Sequence, residues 1–231
     1  MEFEGVEITW LGHASIRVRL DDGTTLLVDP WLEGNPACPE SEYQQDGIDA
    51  IYVTHGHFDH MTGVESTARG NEAAVFAIHE LATYFEGLGL ENVTGSNKGG
   101  TVEGPGGVKA TLVDARHSAG ITGDDGIISG GEAAGWVLEI PGGPMLYHAG
   151  DTTVFGDLSL IGEIYEPDLA FLPIGGHYTM GPELAARAAR LLGVEKVVPV
   201  HFGTFPILSG TPDELTGAAE GKFEVLALDI G

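Results

Sequence analysis

Six consecutive residues, His55-Gly56-His57-Phe58-Asp59-His60, hold three imidazoles and a carboxylate in a stretch too short to form a helix face. Neutral imidazole and carboxylate are ligands for zinc and other first-row divalent ions. A lone histidine is more often an ordinary surface or core residue, but packing does not account for four potential ligands in six positions. Three further residues of ligand type stand downstream: His117, Asp151 and His201. Each taken alone could be a strand-end cap. With the cluster they make a set too large for one tetrahedral zinc and suited to two ions that share a carboxylate.

All of these residues follow apolar strands. Residues 48–54, Ile-Asp-Ala-Ile-Tyr-Val-Thr, form a β-branched and aromatic run that reads as the buried strand delivering the cluster. Strands over 108–113, 145–148 and 196–200 run into His117, Asp151 and His201, and Gly150 allows close backbone approach beside Asp151. Polar residues at the ends of buried strands are where an open α/β sheet assembles a site. Upstream, strands are predicted over 7–11, 15–20 and 24–29. A turn at Gly12-His13 and a hairpin turn at Asp21-Asp22-Gly23 join them. Further strands are predicted over 73–78, 135–140, 168–172 and 223–228. Residues 64–69, 80–87 and a segment starting at 211 have helical spacing. Residues 182–192 form the clearest helix, with Pro182 in its first turn and Gly193 after its end. The stretch 95–107 reads as turns, and 120–131, rich in glycine and aspartate, as a mobile loop near His117. Hairpins come first and β–α alternation follows, so residues 1–231 read as a single mixed α/β domain with helices over stacked sheets.

The chain carries 35 acidic against 10 basic residues, a net charge of −25, spread along its length. That field repels nucleic acid and anionic membrane surfaces, so neither is expected as a partner. No apolar run approaches the roughly 20 residues of a membrane span. Met1-Glu2-Phe3-Glu4 lacks the basic start of a signal peptide, and the single Cys38 fits a reducing compartment, so a cytoplasmic location is expected. Cys38 reads as an incidental small residue of a loop rather than a reactive thiol.

The order His55-x-His57-x-Asp59-His60, His117, Asp151, His201 resembles the metallo-β-lactamase superfamily of binuclear hydrolases, and the resemblance extends back to Ile8-Thr9-Trp10-Leu11-Gly12-His13-Ala14-Ser15. His148-Ala149-Gly150-Asp151-Thr152, Gly175-Gly176-His177-Tyr178-Thr179-Met180-Gly181-Pro182 and His201-Phe202-Gly203-Thr204-Phe205-Pro206 are similar to the UPF0173 metal-dependent hydrolases, relatives of L-ascorbate-6-phosphate lactonase. The resemblance implies an αββα sandwich of two mixed β-sheets flanked by helices. It implies that His55, His57 and His117 hold one ion, that Asp59, His60 and His201 hold the other, and that Asp151 bridges them. Members with a redox di-iron centre usually carry glutamate where this chain has His57, which favours hydrolysis.

Two such cations would lower the pKa of a bridging water and hold hydroxide as a nucleophile against a small ester, lactone or phosphoester. Asp59 is expected to pass a proton to the leaving group, and His177 to contact the substrate or donate to an oxyanion. Asp29 is expected to orient a ligand histidine or cap its strand. His148 is read as a strand residue that could support a ligand, His13 as supporting or structural, and His79 as a surface residue. Zinc leads among the ions, with manganese, iron and nickel also fitting the ligand set. A phosphodiesterase or nuclease branch and an N-acyl-phospholipid hydrolase branch are the enzymatic alternatives, and a non-catalytic metal-binding protein is the third. A homo-oligomer is admitted.

Dispersed acidity with so few lysines is what a protein of a high-salt cytosol would show. A chain so adapted melts at a higher temperature in molar salt than in low salt. Equal melting temperatures in the two would count against the adaptation.

Overall fold

In the computed structural model, which describes residues 1–124 and 126–231, the N-terminal half builds one seven-stranded sheet. Its strands lie in chain order: β1 (Glu2–Phe3), β2 (Val6–Trp10), β3 (Ile16–Leu20), β4 (Thr25–Val28), β5 (Ala50–Tyr52), β6 (Ala74–Ile78) and β7 (Val93–Ser96). Pairing is antiparallel from β1 to β4 and parallel from β4 to β7. The second sheet takes β8 (Thr101–Glu103), β9 (Lys109–Asp114), β12 (Ala134–Glu139), β13 (Met145–His148), β14 (Leu169–Pro173), β15 (Lys196–Val200) and β16 (Glu224–Val225). It repeats the pattern, antiparallel among β8, β9, β12 and β13 and parallel from β13 to β16. Between its early strands stands a two-stranded hairpin, β10 (Ile121–Gly123) and β11 (Gly126–Ile128).

Burial explains the two strand types. β2 and β3 bury every second residue, as strands with one solvated face do, whereas β4, β5, β6 and β14 are buried at every position. Trp136 and Leu138 of β12 point into a core shared with Ile8, Leu26, Ile51 and Phe76 of the first sheet. Val137 and Tyr147 face the other way, onto Leu158, Ala185, Ala189 and Leu215. Those last residues belong to helices that cover the second sheet: α4 (Leu158–Tyr165), α5 (Pro182–Leu192) and α6 (Pro212–Ala219). On the first sheet lie α2 (Val64–Asn71) and α3 (His79–Gly87), after the single turn α1 (Phe58–Met61). Helix–sheet–sheet–helix layering is thus present as expected. Among the described residues no helix is long and apolar enough to cross a membrane.

The two sheets are pinned together at one end. The Trp136 indole N–H donates to the Val53 carbonyl at 3.0 Å, the Ala134 N–H to Thr54 at 3.1 Å and the His148 Nε2–H to Ala14 at 3.0 Å. That end is the one from which the ligand loops emerge.

Several local expectations change. The stretch expected as a mobile loop over 120–131 contains the β10–β11 hairpin, in which Ile121 pairs with Ile128 and Thr122 with Ile127; Asp125 lies outside the described residues. Within the turns expected over 95–107, residues 101–103 form β8, held by ladder bonds to β9 that no local signal announces. Phe58, Asp59, His60 and Met61 curl into the one-turn helix α1, with His57 extended at its start, so the cluster is not all loop. Helix α4, for which no expectation was made, forms because Leu158 and Ile161 meet the second apolar core.

Candidate metal centre

Strand ends supply the site. Asp29 follows β4, Thr54 and His55 lie just past β5, Asp151 follows β13 and His201 follows β15. All four strands belong to the parallel halves of their sheets, so their carboxyl ends open on one edge. Turning sharply there has a conformational cost. His13, Asp29 and His201 have φ of +55°, +49° and +56°, in the left-handed region that disfavours side chains. Gly150, at φ +59°, needs its missing side chain, since a Cβ would stand 2.8 Å from that of Thr54.

The side chains converge in two quartets. His55, His57, His117 and Asp151 form one, and His13, Asp59, His60 and His201 the other. Within each quartet, one ligand atom per residue lies within 4.8 Å of the rest. Asp151 spans both: its carboxylate is 3.4 Å from His117 Nε2, 3.3 Å from His60 Nε2 and 3.1 Å from His201 Nε2. The structure therefore brings together His55, His57, Asp59, His60, His117, Asp151 and His201. His60 Nε2, Asp151 Oδ1 and His201 Nε2 are buried without a hydrogen-bond partner. Orphaned buried donors and acceptors are costly, and aimed at a common point they fit a cation.

One buried carboxylate sets the ring orientations. Asp29 Oδ2 accepts from His60 Nδ1–H at 2.8 Å and from the Thr54 hydroxyl at 2.6 Å, while Oδ1 accepts from the Thr54 N–H at 2.8 Å. With its proton given to Asp29, the Thr54 hydroxyl accepts from His55 Nδ1–H at 3.0 Å. Both histidines thereby present an unprotonated Nε2 to the centre whenever a cation takes it. Asp29 is thus the orienting group that was one of its two expected roles. Gly56, between two ligands, leaves room for the β10–β11 hairpin: a Cβ there would meet Ile121 Cγ1 at 2.7 Å.

His13 was not counted among the expected ligands, yet it closes the second quartet. Its Nε2 lies 3.0 Å from Asp59 Oδ2 and its Nδ1 2.9 Å from the Thr204 hydroxyl. Its carbonyl accepts from the His201 N–H at 2.9 Å and from the Trp10 indole at 2.9 Å. Its position 46 residues from Asp59 left only the Gly12-His13 turn as a signal. His148 supports Asp151 indirectly, accepting the Gly150 N–H on Nδ1 at 3.1 Å. His177 is exposed after β14 and packs on Tyr178; among the described residues no hydrogen bond joins it to either quartet. His79 is exposed, as expected. Burial pushes the Cys38 thiol up to about 11, which leaves it unreactive.

Electrostatics divide the quartets. Burial holds His55, His57 and His117 below the ordinary imidazole range, so all three are neutral. Burial also presses on His60 and His201, but Asp151 overrides it: His60 is raised well above the ordinary value and His201 to about 9. Asp59 and Asp151 stay ionised far below the carboxylate range despite their burial. The hydrogen bond from His13 and the nearness of His201 and His60 outweigh it at Asp59, as do the charges of His201 and His60 at Asp151. Burial brings His13 down to about 4, so it is neutral.

Residues 24–202 match the family model of a beta-lactamase superfamily domain. A UPF0173 metal-dependent hydrolase of Koribacter versatilis is 48% identical over 215 residues, covering 93% of this chain and 92% of that protein. Another from Rubrobacter xylanophilus is 51% identical over 211 residues, covering 91% and 87%. The solved structure of Igni18, a metallo hydrolase of Ignicoccus hospitalis, superposes with a TM-score of 0.86 at 33% identity, over 98% of this chain and 96% of that one.

Two outcomes follow from this geometry. Asp29→Asn removes the charged acceptor shared by His60 and Thr54 and should weaken zinc binding about 10- to 100-fold in calorimetric titration. Unchanged affinity would remove Asp29 from the site. Metal loading of the metal-free chain at pH 7 should occur in two steps. The neutral quartet should take its ion with little proton release. The other quartet must shed the protons of His60 and His201, so its affinity rises with pH up to about 9. Titration in buffers of different ionisation enthalpy reads the protons released, and none in either step would contradict the assignment.

Proposed function

The chain belongs to the beta-lactamase superfamily and, within it, to the UPF0173 metal-dependent hydrolases, and on that footing we propose that it hydrolyses a small ester, lactone or phosphoester with two divalent ions. The supporting observation is the convergence of two ligand quartets, within which His60 Nε2, His201 Nε2 and Asp151 Oδ1 are buried without a hydrogen-bond partner. In this reading His55, His57 and His117 hold one ion and Asp59, His60 and His201 the other, with Asp151 between them. Zinc leads among the candidate ions. When bound, two divalent ions supply a water deprotonated near neutral pH and polarise the carbonyl or phosphoryl oxygen under attack.

The chain's own residues do the rest. In this reading Asp59, ionised and hydrogen-bonded to His13, would take up a proton from water and return it to the leaving group. His177 is available to a substrate from the loop that follows β14 and would contact it or donate to the developing oxyanion. His57, rather than glutamate, in the first quartet favours hydrolysis over redox chemistry. The dispersed acidic charge argues for a neutral or weakly charged small substrate over a polyanion.

Purified protein reconstituted with zinc should carry close to two ions per chain and cleave at least one of a panel of lactones, esters and phosphoesters. Asp151→Asn takes a charge from between the quartets. It should lower metal content and turnover together, the latter by about two orders of magnitude or more, the range of a lost charge-stabilising contact. Full activity in that variant, or no retained metal in the parent protein, refutes the assignment.

A further inference from the structure

Resting on that hydrolytic reading, we infer that the site accepts an uncharged apolar group of its substrate on Phe58 and the groove beside it. Phe58 stands between the proposed ligands His57 and Asp59, yet the residue is 54% exposed. Phe58 is the exposed member of an aromatic group whose other rings are buried or partly buried. It meets Trp31 edge-on at 5.5 Å, and Trp31 stacks on Phe205 at 5.7 Å. Both Trp31 and Phe205 pack against His13, at 5.2 and 5.8 Å, so this aromatic group is continuous with the second quartet. Phe58 also borders a groove of about 230 Å³ whose walls run from Gly56 over the apolar Met61, Leu88 and Ile121 and include the polar Thr62 and Glu65. The groove thus begins at the glycine between His55 and His57.

Charge points the same way. Of the ten lysines and arginines, only Arg116 sits on a loop that carries a ligand. Its Nε is 3.0 Å from Asp114, and its guanidinium lies over the Phe155 ring at 5.7 Å. Asp114 thus partly neutralises the one protein cation on those loops, and the surrounding chain carries a net charge of −25, which disfavours an anionic group on the part of the substrate that lies beyond the ions. An aryl or acyl group would instead cover exposed ring surface and displace water from it.

Binding can be read without turnover. The neutral quencher 4-nitrobenzyl alcohol should quench the fluorescence of the zinc-loaded protein saturably, and Phe58→Ala should weaken this at least fivefold. Leu88→Ser, at a partly exposed position on the groove, should weaken it at least threefold and serves if Phe58→Ala fails to fold. Quenching that never saturates, or is equal in the variants, overturns the subsite. In turnover, a butyrolactone bearing a phenyl group should exceed one bearing a phosphate at least tenfold in kcat/KM, and the reverse preference also overturns it. If neither these lactones nor any ester or phosphoester of the panel is cleaved while saturable, Phe58-dependent quenching persists, the hydrolytic reading fails and the apolar subsite stands.

Discussion

The buried carboxylate of Asp29 is the constraint on which the site depends. A carboxyl group with no solvent exposure is tolerated only when its oxygens are hydrogen-bonded, and here they take three hydrogen bonds. Two of these settle which nitrogen of a ligand histidine faces the centre, His60 directly and His55 through the Thr54 hydroxyl. Because His60 and His55 belong to different quartets, one carboxylate keeps the two halves in register. The backbone around it is equally committed: the Asp29 N–H donates to Tyr52, and its carbonyl accepts from the Ser15 hydroxyl at 2.7 Å. Its left-handed conformation persists because the surroundings over-determine it.

Around that point the sheets act as a frame. Each contributes a parallel half whose strands end together, and bonds through Trp136, Ala134 and His148 hold the two edges against each other. Ligands on short turns from paired strands have little freedom to drift, which suits a centre whose geometry must be ready before an ion or substrate arrives. The strain stored at His13, Asp29 and His201 is the local counterpart of that rigidity. It is offset by the core that Trp136, Tyr52 and Phe76 help fill, with Tyr52 stacked on Phe76 at 4.9 Å.

Charge distinguishes the two quartets although their donors are alike. Three neutral imidazoles with Asp151 resemble a site ready for a cation. The other set keeps protons between two carboxylates, because His60 and His201 face Asp151 in a desolvated pocket. Beyond the second set lies the aromatic group of Trp31, Phe58 and Phe205, in a strongly acidic protein. The positions of these groups separate what the centre does chemically from what the molecule around it could recognise.

Much of this was legible in the residues because it is local. The spacing of His55 to His60, the apolar runs ahead of His117, Asp151 and His201, and the proline and glycine bracketing α5 each carry their signal within a few positions. The alternation in β2 and β3 likewise follows from the period of a strand with one buried face. The tertiary structure alone decided what depends on distant partners. His13 reaches the centre only by meeting Asp59 and Thr204 across 46 and 191 residues. β8 and the β10–β11 hairpin form through ladder bonds, and α4 through an apolar core, that no window of neighbouring residues contains. Sequence alone determined that this chain gathers enough imidazole and carboxylate for two cations. Folding decided which of these groups stand together, which lie beside a carboxylate and what surface lies next to them, because proximity and desolvation arise only once the two sheets meet.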